Sequence, residues 1–83
     1  MNIKAQVALR RGETLELDGI LFKMDGDGTV REGDLYIAER NSGPKLLTAK
    51  RIDIENGWIV PVDRYAYPYN IGECVKVKEA RQS

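Results

Sequence analysis

The fold is decided by residues 46–60, which read Leu46-Leu47-Thr48-Ala49-Lys50-Arg51-Ile52-Asp53-Ile54-Glu55-Asn56-Gly57-Trp58-Ile59-Val60. The part up to Ile54 is the longest strand candidate in the chain. Asn56-Gly57 predicts a type I′ hairpin turn, because both residue types tolerate the left-handed backbone region that this turn requires. Residues 58–60 begin the return strand, and Pro61 ends it or confines it to a sheet edge because proline donates no backbone hydrogen bond.

Further strands are predicted on both sides of this hairpin. Residues 3–9 alternate between apolar and polar positions, which places Ile3, Ala5, Val7 and Leu9 on one face of a strand. Shorter apolar runs, separated by glycine-containing turns, lie at 15–17, 20–24, 35–38 and 74–78. No window predicts a helix. We therefore expect an all-β domain of about six or seven short strands, forming a compact, highly curved sheet or a small barrel.

The composition describes one small domain without a histidine. The chain has 83 residues, with 13 Lys plus Arg and 13 Asp plus Glu. We expect residues 1–83 to form a single domain, which excludes a two-domain enzyme and a transmembrane protein. The absence of histidine removes the usual general base and the commonest metal ligand, so we expect no metal and no cofactor. The lone Cys74 and the lack of a signal-peptide pattern predict a cytoplasmic protein.

Charge is unevenly distributed although the formal net charge is zero. Residues 13–34 contain seven acids and two bases, a net charge of −5, so the remainder carries +5. Such a bipolar distribution could steer a partner or a second copy of the chain. The alternative interpretation is an ordinary solvated face.

Residues 20–30 contain an aspartate motif. An apolar run followed by Asp25-Gly26-Asp27-Gly28-Thr29 resembles the first motif of haloacid-dehalogenase-type phosphatases, in which the first aspartate attacks phosphorus. That family requires a larger, helix-flanked parallel sheet, whereas strand-like sequence follows here. A calcium loop would need a glycine and a glutamate where this chain has Val30 and Tyr36. We interpret the motif as a β-turn and expect no small-molecule substrate.

Lys50 is a candidate because of the residues that alternate with it. Leu46, Thr48, Ile52 and Ile54 share its predicted strand face. If this face packs inward, the ammonium lies in a low-dielectric environment, as in a general-base lysine. Alternatively, the face is half buried and the lysine reaches water.

Four aromatic residues lie within residues 58–69, namely Trp58, Tyr65, Tyr67 and Tyr69. The alternating tyrosines predict one face of an extended segment, and Arg64 lies between them. Such a face suits protein recognition, or base stacking with phosphate contacts from Arg51, Arg64, Lys76 and Lys78. Alternatively, the rings seal the mouth of a barrel.

The succession of elements over residues 12–79 resembles the C-terminal domain of LexA and of phage repressors, which are self-cleaving serine–lysine peptidases. The matching elements are Asp18-Gly19, Leu21-Phe22, Arg31-Glu32-Gly33-Asp34-Leu35-Tyr36-Ile37, Thr48-Ala49-Lys50-Arg51-Ile52 and Pro61-Val62-Asp63-Arg64-Tyr65-Ala66-Tyr67-Pro68-Tyr69.

This resemblance implies that Lys50 corresponds to the catalytic lysine, as a vestigial site. The nucleophilic serine should precede Asp18, where only Thr14 carries a hydroxyl; the two serines of the chain, Ser42 and Ser83, lie elsewhere. The cleavage site and the DNA-binding domain of the family are also missing. The resemblance therefore implies a non-catalytic scaffold that mediates dimerisation and protein contacts.

We expect a non-enzymatic protein–protein interaction module that self-associates. It would act as a phage- or prophage-encoded regulator or inhibitor that binds a host or repressor protein, using Trp58, Arg64, Tyr65, Tyr67 and Tyr69. One alternative is a small nucleic-acid-binding barrel. Another is a hydrolase using Thr14 and Lys50, or a phosphatase using Asp25.

Overall fold

The computed structural model describes residues 4–80, which form a seven-stranded antiparallel sheet and one short helix. The order of strands across the sheet is β1-β2-β7-β3-β4-β5-β6. This confirms the predicted all-β class. The elements are α1 Lys4–Arg10, β1 Leu15–Leu17, β2 Ile20–Met24, β3 Leu35–Arg40, β4 Gly43–Asp53, β5 Trp58–Pro61, β6 Tyr69–Asn70 and β7 Cys74–Glu79, with a 3-10 turn at Ile71–Glu73.

The predicted strand at residues 3–9 is wrong, because most of this segment is helix α1. Ala5 and Leu9 are buried in either conformation, since they are four residues apart and also alternate with the intervening positions. Val7, which a strand would bury with them, is 39% exposed. Ile3, the first residue of the predicted strand, and Ser83 lie outside the described residues.

Contacts with distant parts of the chain hold α1 in place. The buried carboxylate of Glu39 in β3 accepts hydrogen bonds from the backbone nitrogens of Ala5 at 2.9 Å and Gln6 at 3.2 Å. At the other end of the helix, the Arg10 guanidinium donates to the carbonyl oxygen of Cys74 at 3.2 Å. A negative charge at the first turn satisfies free N–H groups and complements the helix dipole. This capping from β3 stabilises a helix too short to be stable alone.

Two apolar clusters occupy opposite faces of the inner strands β3 and β7. Tyr36 and Ala38 of β3 belong to the first cluster, whereas Ile37 points to the second. The first cluster comprises Val30, Tyr36, Ala38, Ala49, Ile59, Tyr69 and Cys74. The second comprises Leu9, Phe22, Ile37, Val75 and Val77, and it is covered by α1 and the β1–β2 hairpin.

Two hairpin turns set the register of the strands. Asp18 and Gly19 join β1 to β2 with φ angles of 51° and 81°, the left-handed pair that a type I′ turn requires. The predicted type I′ turn at Asn56-Gly57 is wrong, because only Gly57 has a positive φ, at 75°. A four-residue loop, 54–57, connects β4 and β5 instead, and the Asp53 carboxylate accepts a hydrogen bond from the Asn56 backbone at 3.1 Å.

Candidate binding surface

Lys50 lies on the outside of β4, so of the two alternatives for this residue the structure shows the lysine that reaches water and not one in a buried apolar environment. The strand turns Ala49 toward the first cluster, while Leu46 and Thr48, which alternate with Lys50, are exposed. A register shift after Ala49, a β-bulge, changes the residues that face inward, and Ile52 packs against the core three positions later. Lys50 is itself exposed and is available to a partner rather than to buried chemistry.

The hydroxyl that a serine–lysine-like hydrolase would need is not beside Lys50. Thr14 is exposed and precedes β1, whereas Lys50 lies in β4. Strands β2, β7 and β3 lie between these two strands in the sheet. No hydrogen bond within residues 4–80 joins the two side chains, so their arrangement lends no support to the hydrolase alternative.

The aspartates of the phosphatase-like motif already have partners: Asp25 lies beside two lysines of β7, and Asp27 is hydrogen-bonded within the adjoining turn. The Asp25 carboxylate lies 3.7 Å from the Lys76 ammonium and 3.8 Å from that of Lys78. The Asp27 carboxylate accepts a hydrogen bond from the Thr29 backbone at 3.0 Å, and this bond holds the pKa of Asp27 below its usual value. Among residues 4–80, no group of three or more Asp, Glu or Cys side chains is placed to hold a metal ion.

Tyr65, Tyr67 and Tyr69 do not share one face, although their alternation in the sequence predicts that they do. Tyr65 and Tyr67 are 80% and 76% exposed, whereas Tyr69 is 4% exposed and belongs to the first cluster. Tyr69 pairs with Ile59 in the sheet, and the Arg40 guanidinium lies 4.8 Å from its ring centroid. Residues 62–68, which precede Tyr69, are irregular rather than extended. The alternation of a strand therefore does not run from Tyr65 to Tyr69.

Residues 62–67, which we call the tyrosine loop, are ordered by hydrogen bonds at their beginning and centre. The Val62 nitrogen donates to the Thr48 carbonyl oxygen at 2.9 Å, which fixes the start of the loop against β4. The Asp63 carboxylate accepts from the Tyr65 backbone at 2.9 Å. The Arg64 guanidinium donates to the Tyr65 hydroxyl at 3.0 Å and lies 5.1 Å from its ring centroid. The loop thus presents its rings from a defined backbone.

Trp58 is half exposed and is held by the preceding strand. Its indole Nε1 donates to the Asp53 carboxylate at 3.2 Å, and 37% of the residue is accessible to solvent. Hydrogen bonds from Asn56 lower the pKa of Asp53, with further contributions from Trp58 and from Arg51. Trp58 therefore anchors the β4–β5 loop and exposes one part of its ring.

Most of the predicted phosphate-contacting bases are already close to carboxylates. The Arg51 guanidinium lies 3.7 Å from the Asp53 carboxylate. Lys76 lies 3.7 Å from both Asp25 and Asp34, and Lys78 also approaches Asp25. Among the four predicted bases, only Arg64 lies in the tyrosine loop. A nucleic-acid backbone would have to compete with these carboxylates.

A small cavity lies between α1 and the turn after β2, and Cys74 is one of the residues that line it. The burial of the Cys74 thiol makes it a poor nucleophile. The cavity has a volume of about 110 Å³ and is lined by Arg10, Asp27, Gly28, Thr29, Val30, Ile71 and Cys74. Burial raises the pKa of the Cys74 thiol to about 12, and a protonated thiol is a poor nucleophile. The nearby Tyr36 hydroxyl is buried without a hydrogen-bond partner among the described residues, and burial raises its pKa as well.

The sequence analysis did not identify Val62 of the tyrosine loop, and it did not identify two contacts between distant residues that stabilise the fold. Val62 is 58% exposed, and the signal for it was an apolar residue between Pro61 and the charged pair Asp63-Arg64. Glu39 and the Arg40–Glu73 ion pair, with a 3.0 Å contact, gave no local signal because their partners are more than thirty residues away.

Comparison with known proteins shows no match to a family model, a curated protein or a solved structure. Within residues 4–80, no helix has the length and apolar character needed to cross a membrane.

Proposed function

We propose that this protein is a non-catalytic module that acts by protein–protein association through its tyrosine loop and the adjoining part of β4. The observation that carries the proposal is the exposure of Val62, Tyr65 and Tyr67, at 58%, 80% and 76%, within six residues. Tyrosine and arginine are enriched among the residues that contribute most to binding at protein interfaces, and they lose little conformational entropy when a loop already holds them.

The wider role that we propose is regulatory. A LexA-like domain without its serine would bind a repressor or another phage or host protein in the cytoplasm and block it. The all-β sheet supports a scaffold of this kind, and the exposed position of Lys50 argues against the hydrolase alternative.

Protein is a better-supported partner than single-stranded nucleic acid. Base stacking on Tyr65 and Tyr67 would be favourable, but strong binding also requires several phosphate contacts. Arg51, Lys76 and Lys78 lie within 4.0 Å of carboxylates, which neutralise part of that charge.

A paired set of variants tests the proposal. Tyr65→Ser/Tyr67→Ser removes the two most exposed rings of the loop, and Val7→Ser/Ile54→Ser removes two apolar side chains, 39% and 81% exposed, that lie outside it. Both variants and the parent protein are used as bait in the lysate of the host, and their masses are measured by sedimentation velocity over a concentration series. Fluorescence anisotropy with a labelled single-stranded oligonucleotide tests the competing partner.

The proposal predicts a loss that is specific to the tyrosine variant. Any protein that the parent and the control both capture should not be captured by Tyr65→Ser/Tyr67→Ser. Likewise, if the mass of the parent rises with concentration, the mass of this variant should not. Equal behaviour of all three proteins would refute the assignment of the surface. If the oligonucleotide binds in a salt-sensitive manner and this binding depends on the tyrosines, the partner of the surface is nucleic acid and not protein.

A further inference from the structure

Asn56-Gly57 does not form the type I′ turn that its sequence predicts, and the chemistry of this pair has no part in the proposed function. An asparagine followed by glycine is especially prone to deamidation, because glycine has no side chain to hinder attack by its backbone nitrogen on the preceding carboxamide. Asn56 is exposed, and it lies in the surface loop 54–57 between β4 and β5. Water, the co-reactant that deamidation needs, therefore reaches the side chain.

Asp53 binds both of the groups that would have to react. The Asn56 carboxamide nitrogen Nδ2 donates to Oδ2 of the Asp53 carboxylate at 2.9 Å, and the Asn56 backbone nitrogen donates to Oδ1 of the same carboxylate at 3.1 Å. The nucleophile, the Gly57 backbone nitrogen, donates to the Asp53 carbonyl oxygen at 2.8 Å. A nitrogen engaged in such a bond must lose it before it can be deprotonated and attack. Cyclisation is therefore slow while the loop keeps this conformation.

Few contacts keep the loop in this conformation. Among residues 4–80, the Asp53 side chain is the one side chain that hydrogen-bonds to loop 54–57. Ile54 is 81% exposed and Glu55 is also exposed, so opening of the loop uncovers little apolar surface. Exposed loops with few buried contacts open at a small fraction of the free energy of global unfolding. Asn56 is therefore able to react without unfolding of the sheet.

We propose that Asn56 is a deamidation site of the folded protein and that Asp53 controls its rate. In the open loop, the Gly57 nitrogen loses its proton to solvent base and forms a bond to Cγ of Asn56. The Cγ–Nδ2 bond then breaks, and the carboxamide nitrogen takes a proton from water and leaves as ammonia. Water hydrolyses the resulting succinimide at one of its two carbonyl carbons, which leaves aspartate or isoaspartate at position 56. No atom is oxidised or reduced.

The reaction removes the contacts that hold Trp58. A carboxylate at position 56 has no N–H to donate, and it brings a second negative charge next to the Asp53 carboxylate, which is repulsive. The Trp58 indole Nε1 donates to the same Asp53 oxygen, Oδ2, at 3.2 Å, so displacement of this carboxylate releases the indole. Isoaspartate also lengthens the main chain by a carbon and shifts Gly57, whose carbonyl oxygen accepts from the Ile71 nitrogen at 2.9 Å. The site lies outside the tyrosine loop, so the reaction does not depend on the proposed function.

Ageing of the purified proteins tests the site directly. The parent, Asp53→Ala and the control Glu55→Ala are incubated at pH 8, and a further sample of the parent is incubated in urea. The control removes an acidic side chain that is exposed and lies beside Asn56 in the loop. Anion-exchange chromatography separates the product by its additional negative charge, and peptide mass spectrometry locates the change at position 56. Protein isoaspartyl methyltransferase labels the isoaspartate fraction.

The proteins should react in a fixed order. Asp53→Ala lacks the carboxylate that holds the carboxamide, so its rate at Asn56 should be about tenfold higher than that of the folded parent. The urea-unfolded parent should react fastest, and Glu55→Ala should react at the rate of the folded parent. Asn41, followed by Ser42 in the turn between β3 and β4, is an internal reference that should react equally in the three folded proteins.

The isolated product reports on Trp58. Its emission should lie at a longer wavelength than that of the unaged parent, and acrylamide should quench it more strongly, because the indole has lost its bond to Asp53. Asn56→Asp introduces the carboxylate without isoaspartate and should change both signals in the same direction.

Three results would overturn parts of this assignment, and each is distinct. Equal rates in the parent and in Asp53→Ala would show that Asp53 does not control the site. A folded parent that stays unmodified at position 56 while the urea-unfolded chain reacts would show that the folded protein has no such site. Unchanged emission and quenching in the product would overturn the release of Trp58. If far-UV circular dichroism shows that Asp53→Ala is unfolded, Asp53→Asn gives the same comparison with a smaller acceleration, because it removes the charge and retains an acceptor oxygen.

Discussion

Replacing Glu39 by alanine should destabilise the protein substantially, because this buried carboxylate caps a helix from another part of the chain. Glu39 is 5% exposed and accepts two backbone hydrogen bonds, at 2.9 and 3.2 Å. A hydrogen bond to a charged group contributes about 1.5–3 kcal/mol. The removal of a buried charge returns part of its desolvation cost, about 1–2 kcal/mol after relaxation. We expect Glu39→Ala to lower the free energy of unfolding by about 2–4 kcal/mol.

Two companion variants separate capping from general effects of substitution. Glu39→Gln retains an oxygen acceptor but loses the charge, so the expected loss is smaller, about 1–2 kcal/mol. Glu55→Ala removes an exposed glutamate from the loop 54–57 and should change stability by less than about 0.5 kcal/mol. If the alanine variant does not fold, the glutamine variant still reports on the cap.

Urea unfolding followed by the fluorescence of the single tryptophan gives the free energies, provided that the denaturant slope is unchanged. Hydrogen exchange of the Ala5 and Gln6 amides gives the local readout, because these two groups lose their acceptor. The reasoning is refuted if Glu39→Ala unfolds at the same urea concentration as the parent, or if both amides keep their protection.

Further predictions concern an ion pair, a thiol and an exposed lysine. Hydrogen bonds from Arg40 lower the pKa of Glu73, so this pair stabilises the protein fully above the usual glutamate value and loses its contribution as the pH falls through the lowered one. Arg40→Ala should lower the free energy of unfolding by about 1 kcal/mol at neutral pH, because the arginine is partly exposed. Between neutral and acidic pH, the urea midpoint of this variant should therefore fall less steeply than that of the parent, and equal slopes would contradict this. Because burial raises the pKa of Cys74 to about 12, an aromatic disulfide reagent at pH 8 should modify the native protein far more slowly than the urea-unfolded one; equal rates would contradict its burial. Lys50→Ala should shift the unfolding free energy by less than about 0.5 kcal/mol, and a markedly larger loss would show that the side chain packs.

The strands were predictable because their signals are local. Residues 20–24 and 74–78 fall within β2 and β7, and the glycine-containing segments between apolar runs mark most of the connections. Helix α1 was not predictable in this way. Ala5 and Leu9 fit both periods, and the carboxylate that favours the helix comes from Glu39, which lies 34 positions beyond Ala5.

The candidate surface was predictable in part. The spacing of Tyr65 and Tyr67 left open whether they form a recognition surface or seal a barrel, and the structure places both as exposed residues beside Arg64. The position of Tyr69 in the core was not predictable, because the segment before it is irregular and the strand period does not continue through it. Lys50 keeps the outward face of Leu46 and Thr48, and the register shift after Ala49 separates it from Ile52, which packs against the core.

Alternation, turn residues and charge are properties of neighbouring positions, so the amino-acid sequence was sufficient to predict an all-β domain with an uneven distribution of acidic and basic segments. The folded arrangement of residues 4–80 sets which side chains face the core, where helix α1 forms and which charged groups are paired. These depend on strand register, a single bulge and contacts between distant residues, and a shift of one position in a strand exchanges its buried and exposed faces.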